Sequence, residues 1–165
     1  MFEFKPLTPD AVPAALEKAM RYRLLNEPGD AESICHDILR IEPDNEKALV
    51  TLLLAITDRF SKGYAVGSSK AHEVLARLRD AYDRAYYAGI ISERQAKALL
   101  AQNTPGVGFD AHELLCEAMA WYEKAEAIRP PHNDDALLRW NACARIIVSN
   151  RLEARQPESV GLRME

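Results

Sequence analysis

The sequence predicts an all-α protein, a stack of antiparallel helix pairs with about seven helices in a single domain. Three observations carry that prediction. Apolar residues recur at spacings of three and four along most of the chain. Sustained period-two alternation and Asn-Gly or Asp-Gly hairpin turns are absent. A pattern also occurs twice: a small residue, then Cys or an aromatic four positions on, then Pro twelve positions on. Its copies are Ala31–Cys35–Pro43 and Ala118–Tyr122–Pro130.

The first helix is expected to begin near Thr8 or Asp10, with Thr8 as cap and Pro9 in the first turn, and to carry Leu16, Ala19, Met20 and Leu24. Asn26–Gly29 breaks it. A second helix follows the cap Asp30, with a stripe of Ala31, Ile34, Cys35, Ile38 and Leu39, and stops at Pro43. The third follows Asp44 or Asn45. It is apolar over most of its circumference between Ala48 and Ile56, which places it between neighbours.

Residues 63–69 (GYAVGSS) read as a loop, and the fourth helix as Ser69–Ala88 with Gly89 as its stop. The fifth is expected to start at Ser92, with Gln95 three later completing a capping box. Asn103–Gly108 breaks the chain. The sixth helix then runs from about Asp110 to Ile128, and the seventh follows Asn133 or Asp134 and carries Leu137, Trp140 and Ile147. The domain spans 1–155, and the polar tail 156–165 is expected to fray.

Composition narrows the function classes. A formal net charge of -4 disfavours non-specific binding to nucleic acid or to an anionic membrane. No apolar run approaches the ~20 residues of a membrane span, and MFEFKPLTPD lacks the charged-then-apolar pattern of a signal peptide. A soluble cytoplasmic protein is the expectation. Cys35, Cys116 and Cys143 fall inside helical patterns, as reduced thiols do.

In Ala14–Ile56 and Glu117–Ile147 the chain resembles the tetratricopeptide repeat family. Ala19 and Tyr22 lie on one helix, Ala31 and Cys35 on the next, and Pro43 ends the unit. The phrases ILRIEPDNEKAL and AEAIRPPHNDDALLRW resemble that family's repeat junctions. Lys18 and Ala15 depart from the motif, and the Pro43–Pro130 spacing is not a multiple of the ~34-residue repeat. The middle, Thr57–Leu115, therefore reads as a degenerate repeat with insertions. The resemblance implies a right-handed superhelix whose concave surface binds a protein or peptide. On that surface it puts Glu17, Arg23, Lys47, Thr51, Asp58, Arg139 and Arg145 as partner-binding candidates. Arginine forks suit carboxylates, including a peptide C-terminus.

No catalytic, cofactor or metal site is predicted. The four histidines lack metal-ligand spacing. Gly106-Val107-Gly108 has no preceding strand and no following Lys, as a phosphate loop requires. Asp134-Asp135 fit a helix start better than acid–base work. Tyr82 and Tyr86 share a helix face and Tyr87 turns away. They read as core at a helix seam, with an aromatic binding platform as the alternative. The leading expectation is thus a non-enzymatic scaffold. Self-assembly into a homo-oligomer through unstacked end faces is the second. A small-molecule or enzymatic cavity in the irregular middle is the third.

Overall fold

The computed structural model describes residues 1–62 and 64–157. They form seven α-helices and no strand: α1 (Val12–Leu24), α2 (Pro28–Ile41), α3 (Glu46–Thr57), α4 (Tyr64–Arg77), α5 (Ala81–Gln102), α6 (Val107–Ala127) and α7 (Asp135–Ser149). Short 3-10 turns precede α1 at Pro9–Ala11 and follow α3 at Phe60–Lys62. Each helix packs on the next in sequence, and α3 also touches α1 and α5.

The starts of the helices show why the chain breaks where it does. Asn45 accepts the Ala48 N–H at 3.0 Å to open α3, and Asp80 accepts the Asp83 N–H at 2.9 Å to open α5. Pro28 starts α2, with Asp30 in its first turn rather than at the cap. Asn103, in the left-handed conformation at φ 49°, ends α5.

The middle of the chain differs from expectation. The helix boundary falls at 78–80, before the tyrosines, and α5 runs straight through Gly89 and Ser92 for 22 residues. At 1.5 Å per residue it is about 33 Å long. Gly89 is there for packing. A Cβ built on it would sit 2.5 Å from the Tyr122 ring, so α5 and α6 approach closely only because position 89 has no side chain. Ser92 is no cap; it is buried in mid-helix, and Gln95 accepts no cap hydrogen bond but donates to Ser68 Oγ at 2.6 Å. Helix α4 begins at Tyr64, within the stretch expected to be a loop; Gly63 lies outside the described residues.

Two apolar clusters fill the molecule. The first joins Val12, Ala19, Cys35, Ile38, Leu49, Leu52, Leu53 and Phe60 with Leu78 and Ile91. The second joins Tyr82, Ala111, Leu115, Ala118, Tyr122, Ala125 and Cys143. Tyr87 packs on both. The repeated positions Ala31, Cys35, Ala118 and Tyr122 are all fully enclosed. Eight of the twelve residues of α3 are buried, as its apolar circumference implies. Past α7 the chain turns back along α6, where Leu152 packs on the second cluster and Arg155 pairs with Asp110. Residues 156 and 157 are exposed without regular structure, and the rest of the expected tail lies outside the described residues.

Candidate binding groove

The periodicity that buries one stripe of α1, α3 and α5 turns another stripe outward on a shared face. The early residues of the three helices meet at one end of this face and their later residues at the other, so the three run parallel. At the first end lies a groove of about 620 Å³. Pro13, Leu16, Glu17 and Met20 of α1, Glu46, Lys47, Val50 and Thr51 of α3, and Asp83 and Tyr87 of α5 line it.

Its walls are largely apolar and its charge is mostly negative, with Glu17, Glu46 and Asp83 facing one cation, Lys47. Glu46 Oε1 accepts the Arg79 N–H, whereas its buried Oε2 has no hydrogen-bond partner. Desolvation pushes the Asp83 carboxyl above its ordinary range, and the neighbouring Asp80 and Glu46 push it further. Thr51 is buried on the groove floor, and its hydroxyl donates to the Lys47 carbonyl at 2.7 Å.

The opposite end of the face holds two ion-pair networks. Asp58 accepts Arg23 Nε at 2.8 Å and Arg94 Nη1 at 2.6 Å. The same Arg94 nitrogen donates to the Leu54 carbonyl and to Thr57 Oγ1. Burial pulls the Arg94 guanidinium down from its ordinary value while Asp58 acts to hold it up. Beside Arg94 on α5, Glu93 is completely buried. It accepts the Tyr122 hydroxyl at 2.6 Å, Lys97 Nζ at 2.6 Å, and the Arg139 fork through Nε, at 3.0 Å, and Nη2. This clasp ties α5 to α6 and α7.

The seven sequence-derived candidates therefore fall in four places. Glu17, Lys47 and Thr51 share the groove. Arg23 and Asp58 pair with each other. Arg139 grips Glu93. Arg145 stands apart on the outer face of α7 beside Asn141, Ala144 and Val148. Sequence reasoning missed Glu46, Asp83, Glu93 and Arg94. Glu46 and Asp83 resemble ordinary first-turn acids, and Glu93 and Arg94 were hidden inside a false capping box.

The tyrosines pack against one another. Tyr82 and Tyr86 stack at 5.7 Å between centroids, and Tyr86 meets Tyr87 edge-on at 5.0 Å. Tyr82 donates to Asn133 at 3.4 Å, and Tyr87 reaches the groove wall. Trp121 and Trp140 are half-buried against the second cluster. Among the described residues no group of His, Cys, Asp and Glu is arranged to hold a metal, and no helix is long and apolar enough to cross a membrane.

No protein-family model matches the chain, and neither the curated proteins nor the solved structures contain a significant match.

Proposed function

We propose that this chain is a non-enzymatic interaction module. Its helix pairs form a tetratricopeptide-like right-handed superhelix, and a protein or peptide partner lies along the α1–α3–α5 face. The groove is the observation that carries the reading. Three helices from separate parts of the chain leave about 620 Å³ open there, with largely apolar walls and a net negative charge. Enclosed alanines at the repeated positions, Ala31 and Ala118, support close helix crossing of the repeat kind. The ion pairs at the other end give the face a rigid frame, which lowers the ordering cost of binding.

Val50 lies half-buried in the groove wall, so Val50→Arg fills the groove while leaving the buried stripe of α3 intact. Affinity capture from native lysate with both proteins tests the reading. It predicts at least one protein retained by the natural chain and released by Val50→Arg. Identical captures by the two would refute it.

A second reading, self-assembly through an end face, is favoured by α7. Leu138 and Val148 are 59% and 76% exposed on the outer side of that last helix. Sedimentation velocity across a hundredfold concentration range decides it. Association abolished by Leu138→Glu supports it, and a constant monomer removes it.

A further inference from the structure

The groove's chemistry specifies its occupant more closely than its shape does. Its walls, Pro13, Leu16, Met20, Val50 and Tyr87, offer apolar contact. Its charge is unbalanced, with Glu17, Glu46 and Asp83 against Lys47 alone. Two of these acids are under electrostatic stress. One Glu46 oxygen is buried without a donor. Asp83 sits close enough to Glu46 and Asp80 for their charges to oppose its ionisation, on top of its desolvation. An incoming cation offsets the charge of both. An incoming carboxylate meets like charge in a partly desolvated site, which is costly.

We propose that the groove binds a peptide segment carrying one arginine or lysine flanked by large apolar residues. The basic side chain lies between Glu46 and Asp83, and the flanking residues lie on Leu16, Met20, Val50 and Tyr87. A guanidinium suits the pair best, because its planar fork serves two carboxylates at once. The inference rests on the groove being the binding face, as proposed above.

The test is selection of a random dodecapeptide phage library on the purified protein, followed by fluorescence polarisation with labelled versions of the winners. The expected winners carry Arg or Lys next to Leu, Ile, Phe or Trp. Their affinity falls by about tenfold or more with Asp83→Asn and with Glu46→Gln, since each removes the charge from a carboxylate that meets the basic side chain. It vanishes with Val50→Arg and is unchanged by Arg145→Ala on the far side of α7. Circular dichroism and thermal melts confirm that each variant folds.

Winners that lose binding to Val50→Arg but lack a basic residue, or that ignore Asp83→Asn and Glu46→Gln, overturn this inference and leave the groove reading standing. Winners indifferent to Val50→Arg, or no winners at all, overturn both. Winners that match Phe2-Glu3-Phe4-Lys5 carry the same basic and apolar chemistry and, together with dimerisation that deletion of residues 1–5 abolishes, support this inference. The exposed Phe2 and Phe4 of a second copy would then be the occupant.

Discussion

The Tyr122 hydroxyl donates to Glu93 Oε2 at 2.6 Å, and both side chains are sealed from solvent. Burial holds the Tyr122 hydroxyl far above its usual titration range, so it stays a donor. Glu93 also collects Lys97 and Arg139, which leaves one carboxylate holding two cations and a phenol. The energetics are asymmetric. A buried network of this kind adds little when complete, but losing one member strands the others.

Glu93→Ala is therefore expected to cost about 3–5 kcal/mol, because Arg139 and the Tyr122 hydroxyl lose their acceptor together. Tyr122→Phe removes one neutral donor and costs about 1–3 kcal/mol. The double variant costs less than the sum, since the two act through the same atoms. Urea denaturation of the three variants measures this. Strict additivity would show that the clasp is not one unit.

Gly89→Ala opposes two effects. In a helix interior Ala is favoured over Gly by about 1 kcal/mol. Here its Cβ would meet the Tyr122 ring at 2.5 Å, and that ring is pinned by Glu93. Overpacking a tight core costs about 1–3 kcal/mol and occasionally more. A contact this short belongs at the upper end, so the net effect is a loss of about 2 kcal/mol. Combining it with Tyr122→Leu, which clears the ring, should make the Ala substitution neutral or stabilising. A stabilised single variant would show that the Tyr122 ring yields to the added methyl and that the α5–α6 approach does not depend on position 89.

Gly89 also shows where reading the sequence stops working. Ala31, Cys35, Pro43, Ala118, Tyr122 and Pro130 were legible because local rules and tertiary packing agree there: small where helices cross, Pro where the chain turns. At Gly89 they disagree. Glycine after a helical run signals a stop, but the reason for this one lies on another helix. The true break at 78–80 carried only one local mark, Asp80, among many acids. The site was legible in part for the same reason. Glu17, Lys47 and Thr51 follow from helix phase. Recognising Glu46 and Asp83 as facing acids requires knowing that α3 and α5 lie side by side.

Asp83 predicts a pH effect. Its carboxyl titrates above the ordinary aspartate value of 3.8 in the folded protein. The folded state then binds the proton more readily than the unfolded state, so this group's contribution to stability falls as pH rises from about 3.8 through the raised value. The groups responsible are Asp80 and Glu46, together with desolvation. Asp83→Asn removes the penalty. At pH 7 the variant should have the higher urea midpoint, and the gap should close as pH falls below 3.8. A variant less stable than the natural chain at pH 7 would show that the helix dipole at the start of α5 outweighs the neighbouring acids.

The three thiols should separate cleanly by reactivity. Cys35 and Cys143 lie within the two apolar clusters with no exposed surface, and Cys116 is exposed on α6. Burial pushes the Cys35 thiol up to about 12 and the Cys143 thiol up to about 11. Only a thiolate attacks a disulfide reagent, so both buried groups are protected twice, by access and by protonation. Cys116 is raised as well, by milder desolvation, and its sulfur lies 3.8 Å from the His112 ring. Ellman's reagent at pH 8 should therefore titrate one thiol in the native protein and three in guanidinium. Cys116→Ser should abolish the native signal without shifting the unfolding midpoint. Rapid reaction of a second thiol in the native state would mean that one helix pair opens locally. Repeating the titration with Cys35→Ala and Cys143→Ala would identify which pair: α1–α2 for the first, or α6–α7 for the second.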